Sequence, residues 1–203
     1  LNHILPIGKD KYMTLNPKTF VKKIKSMING DYFNYVYKSD DSEYDGKGCV
    51  LNLDYIADGS FSNDREEGRI NIQNISDEYK NTIDKIIFLC KENNIELIFY
   101  SMPCSDYYLA EKGNYDDYYE FCRDFLAERG YAYYDFNLAK EKYLKLYDSD
   151  FSDDNHLSKK GVYKWTQVFC DYFFTGKIPQ NDMFYSSYSE KISDQEDRIY
   201  GLV

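Results

Sequence analysis

The second half of the chain alternates amphipathic helical segments with short apolar strands, and this order constrains the fold more strongly than any other feature. A helix that Ser76 can cap and that Asn93-Asn94 stops precedes the strand IELIFY, 95 to 100. A helix that ends at Gly130 precedes the strand YAYYDF, 131 to 136, and a third helix begins at Ser158. Helices joined to strands by short connections are typical of crossovers on a parallel sheet, so the order predicts an α/β layered fold.

Only two strands of this buried type are visible, whereas a doubly wound sheet has about five. The first half contains a short amphipathic helix after Asn16-Pro17, a Tyr- and Asp-rich segment, 31 to 48, and the alternating stretch CVLNLDYI, 49 to 56. Either this half supplies irregular strands or part of the domain is absent. We expect one α/β domain over 1–176, with a variable part, 1–75, and a regular part, 76–176, followed by a polar C-terminal tail, 177–203.

The composition indicates a globular and acidic protein. Thirteen Phe, 23 Tyr and one Trp supply large apolar surfaces for a core. The excess of 35 acidic over 25 basic residues gives a formal charge of -10, which argues against nucleic acid or an anionic membrane surface as the main partner. No apolar run approaches the roughly 20 residues of a membrane-spanning helix. The sequence does not decide between the cytoplasm and the cell surface, the latter if an anchor precedes this chain. It does not indicate the oligomeric state either.

The five cysteines are scattered, odd in number and without C-x-x-C spacing. Neither a disulfide framework nor a zinc site is therefore indicated. Cys90, Cys122 and Cys170 fall on apolar helical faces, where we expect them to act as small buried hydrophobic residues.

The stretch DFSDDNHLSKKG, 150 to 161, places Asp153 three residues before His156 in a turn. A carboxylate at this spacing can accept a hydrogen bond from the imidazole Nδ1 and fix the tautomer. Nε2 is then free to take a proton from a nucleophile, as in a Ser-His-Asp triad. The alternative is a solvated acidic turn that precedes the next helix.

Ligands of open α/β sheets bind beyond the carboxyl ends of the strands. The segment SMPCSDYY, 101 to 108, follows the first strand directly, and the segment after Phe136 leads to the Asp153/His156 turn. We therefore expect both segments at one rim of the sheet. The candidate substrate-binding residues there are Ser101, Ser105 and Asp106.

Three features in order resemble the C-terminal half of the SGNH/GDSL hydrolase superfamily. They are an apolar strand ending near Pro103, a short strand ending in Asp135-Phe136, and the block DFSDDNHLSKKGVYKWTQVF. The branch that includes proteins of D-alanyl-lipoteichoic acid and alginate acetylation is the most similar. The resemblance covers roughly residues 76 to 175. The positions that match its final D-x-x-H block are Asp153, His156, Leu157, Ser158 and Gly161.

This resemblance implies a flavodoxin-like three-layer sandwich with a mainly parallel sheet. It also implies serine ester chemistry, namely hydrolysis or transfer of an O-acyl group on a small-molecule ester or a cell-envelope glycan. Asp153 and His156 would be the catalytic pair, with no metal or organic cofactor.

The family also carries an N-terminal Gly-Asp-Ser block with the nucleophilic serine, and this chain departs from that pattern. Asp58-Gly59-Ser60 has the right letters in another order. Ser60 and Cys104 are the candidate nucleophiles, Cys104 because a thiolate is intrinsically nucleophilic. Two accounts stand: the C-terminal portion of a longer enzyme, or a degenerate relative. The second predicts a non-catalytic module that binds a glycan or a protein.

Mixed carboxylate and imidazole groups also bind divalent ions, and Asp150, Asp153, Asp154 and His156 form such a group in sequence. The D-x-D-x-D-G spacing of a calcium loop is absent. We therefore expect no metal site here.

Overall fold

The computed structural model of the chain describes residues 21, 24–25, 27–29, 40, 42–46, 49–57 and 70–200. The chain divides into two units, Leu1–Asp40 and Asp41–Val203. In the first unit the described residues between 21 and 28 are helical, as predicted, whereas the Asn16-Pro17 start of that helix lies outside the described residues. In the second unit the described residues form five helices and two small sheets, one parallel and one antiparallel. The prediction of a mixed α/β protein is confirmed at this level.

A β-hairpin opens the second unit. β1 (Ser42–Gly46) pairs antiparallel with β2 (Cys49–Asn52), and Leu51 of β2 is almost fully buried. The alternating stretch 49–56 was a predicted strand, but the strand ends at Asn52 and belongs to a separate sheet. β1 lies where an irregular segment was expected. Pairing across a tight turn is local and needs no apolar alternation, which explains why the side-chain pattern did not reveal β1.

The alternation of helix and strand begins with α1 (Asp77–Glu92). Ser76 caps this helix and Asn93 ends it, as the sequence predicts. β3 (Phe99–Ser101) is shorter than the predicted strand 95–100, because only three residues pair with a partner strand. The length of a short strand thus depends on its neighbour and not on its own apolar run.

A crossover then leads to the second parallel strand. α2 (Asp106–Lys112) and α3 (Tyr115–Ala127) follow β3, and β4 (Tyr133–Asp135) returns parallel to it, with Phe99 opposite Tyr133. Helices between parallel strands make this a β-α-β unit, as the order of elements predicts.

Helices lie on both faces of the parallel pair. Successive strand residues point to opposite faces: Tyr133 contacts the ring of Tyr119 in α3, whereas Tyr134 contacts rings of α4 (Lys159–Phe173). Ser158 caps α4, as predicted. The α4 side holds most of the core, an aromatic cluster that includes Phe136, Trp165, Phe169, Tyr172, Phe173 and Phe184.

The C-terminal segment corrects the expectation of a peripheral tail over 177–203. Met183 is fully buried and Tyr185 nearly so, and the Tyr185 N–H donates to the Leu138 carbonyl at 2.9 Å. A further helix, α5 (Tyr188–Tyr200), follows. Met183, Phe184 and Tyr185 form an apolar run that is too short to show a helical or strand period. The sequence pattern therefore does not reveal their burial against distant partners.

α4 begins with an unusually close backbone approach. A Cβ built at Gly161 would lie 2.0 Å from the Asp150 carbonyl oxygen and 3.1 Å from a methyl carbon of Leu157. Glycine is therefore required at this position for reasons of space.

We expect Gly161→Ala to lower the free energy of unfolding by about 3 kcal/mol, because the Asp150 backbone must move to admit the methyl group. Urea denaturation measures this. Gly130→Ala is the matched control: Gly130 has φ of 79° and open space around it, so it should cost only about 1 kcal/mol. Equal costs at the two positions would contradict the packing argument.

Candidate active site

The candidate residues sit at the tip of a closed loop between Asp150 and Ser158. Phe151 and Leu157 form an antiparallel bridge, and both side chains are buried in the core. The Ser158 N–H donates to the Asp150 carbonyl at 2.9 Å, and the Ser152 N–H donates to the His156 carbonyl at 2.9 Å. Asp153, Asn155 and His156 are thereby held at the surface on a fixed base, whereas Asp154 between them is buried.

Asp153 and His156 are hydrogen-bonded at this tip. His156 Nδ1 lies 2.9 Å from Asp153 Oδ1 and 2.8 Å from Oδ2. Because an ionised carboxylate only accepts hydrogen bonds, Nδ1 carries the hydrogen in the neutral imidazole, and Nε2 presents its lone pair. The side chains of His156 and Asp153 are 66% and 46% exposed, so solvent reaches both groups.

The same carboxylate also closes the turn. Asp153 Oδ1 accepts from the backbone N–H of Asn155 at 3.0 Å and of His156 at 2.7 Å. Partial burial acts to raise the pKa of Asp153, but these two N–H groups and the imidazole outweigh it, and the pKa lies below its ordinary value of 3.8. Asp153 is therefore ionised at neutral pH and can orient the imidazole.

The loop after β3 contacts this turn. The structure thus brings together the two segments that were expected at one rim of the sheet. The Ser105 N–H and Oγ donate to the Asp154 carbonyl at 3.0 Å and 2.7 Å. Cys104 Sγ lies 4.0 Å from the Asn155 carbonyl oxygen. The chain thus joins the end of β3 to the His156 turn through backbone carbonyls.

Ser101 and Asp106 are placed differently. The Ser101 hydroxyl is hydrogen-bonded to the phenol of Tyr133, between α1 and α3. Asp106 Oδ1 accepts from the Lys191 ammonium at 2.6 Å. Ser105 is nearly fully buried and caps α2. The three candidate substrate-binding residues thus already have protein partners.

The candidate nucleophile Cys104 is held as a thiol. Burial, together with the nearby carboxylates of Asp135, Asp154 and Asp153, raises its pKa from the ordinary 9.0 to about 11. Ser60, the other candidate, lies outside the described residues. Within residues 70–200 no serine, threonine or cysteine side chain is hydrogen-bonded to the His156 ring.

A buried polar network lies beneath the strand-end loops. Asp135, at the end of β4, accepts from Tyr115 Oη at 2.8 Å and from Asn137 Nδ2 at 2.8 Å. Asn137 Oδ1 accepts from the Cys104 N–H at 2.7 Å. Burial raises the pKa of Asp135 above its ordinary value, and these hydrogen bonds oppose the rise. The side-chain pattern did not predict this network, although polar Asp135 and Asn137 beside an apolar strand were a signal for it.

The carboxylate and imidazole residues that could bind a metal ion by sequence do not all lie together in the structure. Asp150 is fully buried, with Lys164 Nζ 2.5 Å from Oδ2 and Lys160 Nζ 3.4 Å from Oδ1. Its carboxylate faces α4 and its lysines, away from the exposed Asp153/His156 pair. Among the described residues no group of three or more His, Cys, Asp or Glu is arranged to hold a metal ion.

An open groove of about 660 Å³ borders the loop. Leu53 and Tyr55, after β2, contribute to its lining together with Tyr163 of α4. Tyr55 and Tyr163 are 67% and 51% exposed. The polar residues that complete the lining are Ser149, Ser158, Lys159, Lys160 and Lys164.

Comparisons with protein-family models, curated proteins and solved structures found no match to this chain. In the part of the chain that the structure describes, no helix has both the length and the apolar character to cross a membrane.

We expect Cys104 to react with iodoacetamide about 100-fold more slowly in the folded protein than an ordinary thiol, because a pKa of about 11 in place of 9.0 lowers the thiolate fraction by that factor. Peptide mapping by mass spectrometry follows the reaction. In denaturant the rate should rise to that of an exposed cysteine. Equal rates in both states would contradict the raised pKa of Cys104 in the folded protein.

We expect Asp153→Asn to lower the free energy of unfolding at pH 7 by about 0.5 kcal/mol, a small value because solvent screens the half-exposed pair. The folded-state pKa is depressed, so the stabilisation is present above the unfolded value and is lost as the pH falls through the folded value. The free energies of unfolding of the wild type and Asp153→Asn, measured by denaturation from pH 7 to pH 2, should therefore converge at low pH. A pH-independent difference would contradict the charge-based explanation.

Proposed function

We propose that this chain carries the acid-base part of an SGNH-like site that hydrolyses or transfers an O-acyl group. The observation that carries the proposal is the Asp153 carboxylate within 2.9 Å of His156 Nδ1, at an exposed tip that contacts the loop after β3. An orienting carboxylate on one ring nitrogen, with the other ring nitrogen presented outward, is the arrangement of a general base.

In the proposed reaction His156 Nε2 removes the proton from a nucleophile as that nucleophile bonds to the ester carbonyl carbon. Collapse of the tetrahedral intermediate breaks the carbon-oxygen bond, and His156 returns the proton to the leaving alcohol. A water or an acceptor hydroxyl then releases the acyl group by the same steps. Asp153 holds the imidazole in one tautomer and stabilises the imidazolium.

We place the nucleophile outside residues 70–200. The raised pKa of Cys104 disfavours its thiolate, and Ser105 uses its hydroxyl to bond Asp154 and to cap α2. The nucleophile would then come from another segment of the protein.

The flavodoxin-like sandwich is part of the proposal. Three observations support it: helices cover both faces of the β3-β4 pair, β3 pairs on one side only among the described residues, and an apolar groove of about 270 Å³ lies beside it. α1 also exposes Phe88 and Leu89. Further parallel strands in such a sandwich would pair with the second side of β3 and cover apolar surface.

A second candidate function is a non-catalytic module that binds a glycan. The exposed rings of Tyr55 and Tyr163 in the groove beside the loop favour it, because sugar faces stack on such rings. In that case Asp153 serves only to close its turn.

We expect the protein to hydrolyse a short-chain aryl ester and His156→Ala to lower kcat/KM by roughly 10² or more, because the general base is lost. Asp153→Asn should lower it less, since the imidazole remains but loses its orientation. Initial rates from the absorbance of the released phenol measure both.

The matched control is His3→Gln, which removes the other of the two histidines and should leave the rate unchanged. Equal rates for the wild type and His156→Ala would exclude the proposed acid-base role. Unchanged glycan binding by His156→Ala without any turnover would favour the second candidate.

A further inference from the structure

Ser105 makes more contacts than a capping serine needs. Its Oγ accepts from the Tyr108 N–H at 3.1 Å, which caps α2, and donates to the Asp154 carbonyl at 2.7 Å. Its backbone N–H donates to the same carbonyl at 3.0 Å. Asp154 lies between Asp153 and His156, so both donors of Ser105 act on the turn that carries the pair.

The neighbouring residues anchor this contact to the core. The Cys104 N–H is held by Asn137 Oδ1, and Asn137 is held in turn by the buried Asp135 and Tyr115. A series of hydrogen bonds, continued by the backbone between Cys104 and Ser105, therefore runs from the end of β4 to the Asp154 carbonyl. Because Asp135, Asn137 and Ser105 are all nearly fully buried, the series has little freedom to move.

We propose that Ser105 is a positioning residue for the Asp153-His156 pair. Its two hydrogen bonds fix the Asp154 peptide, and that peptide sets the turn in which Asp153 reaches both the backbone N–H and the Nδ1 of His156. Ser105 acts through the turn and not on a substrate. The role in catalysis rests on the proposed function, whereas the effect on the geometry of the pair does not.

The chain offers a matched control for the loss of a helix cap. Ser76 caps α1 with Oγ accepting from the Tyr79 N–H at 3.4 Å, and the distances that fix the His156 turn do not involve it. Ser105→Ala and Ser76→Ala each remove one capping hydroxyl, and Ser105→Ala should destabilise the protein more, because its hydroxyl is buried and also bonds Asp154. Only Ser105→Ala removes a donor to Asp154.

The experiment is nitrogen-15 NMR of the imidazole rings in the intact protein. The chain has two histidines, so His3→Gln assigns the His156 signals. We expect the wild type to show His156 with its hydrogen on Nδ1. Ser105→Ala should change the ratio of the two tautomers about fivefold toward that of a free imidazole, because one net hydrogen bond is worth about that factor. The side-chain carboxyl pKa of Asp153 should rise toward its ordinary value.

Ser76→Ala should leave the His156 tautomer ratio and the Asp153 pKa unchanged. Ser105→Thr keeps a hydroxyl, so it should show the wild-type values of both. Ser105→Gly provides a second test if alanine prevents folding, because glycine is tolerated at a helix N-cap. An unchanged His156 tautomer in the folded Ser105→Ala or Ser105→Gly protein would overturn the positioning role. These signals require no turnover, so an inactive protein would contradict the proposed function and leave this inference intact.

Discussion

The carboxylate of Asp135 is the buried group on which the strand-end loops depend. It lies at the end of β4 and accepts hydrogen bonds from Tyr115, from the Asn137 side chain and from the Asn137 backbone N–H. A buried carboxylate without such partners would be strongly destabilising. The need to satisfy it therefore brings α3 and the loop after β4 together at one place.

Asn137 extends this organisation in two directions. Its side-chain oxygen holds the Cys104 N–H, and its carbonyl accepts from Lys191 of α5 at 3.0 Å. Lys191 also pairs with Asp106. The C-terminal helix and the loop after β3 are thus attached to the same residue, and this gives the segment after Lys177 a structural role beside the site.

The closed loop from Asp150 to Ser158 has a base that packs in the core and a tip that carries the candidate catalytic pair. Its base is apolar and buried through Phe151 and Leu157, and Asp150 is tied to the lysines of α4. Its tip is exposed and carries Asp153 and His156. Because the backbone bonds at the base fix the tip, the pair can remain open to solvent and still keep its geometry.

What the sequence by itself determined is the set of features that depend on residues within a few positions of one another. Ser76 and Ser158 as helix caps, Asn93 as a helix end and the Asp153-His156 bond are all of this kind, since their hydrogen bonds close over three or four residues. The tertiary structure decided the rest. It buried Met183 and Tyr185, and it turned Ser101 toward Tyr133. These contacts depend on partners far along the chain or on which face of a strand points inward, and no local pattern of side chains records either.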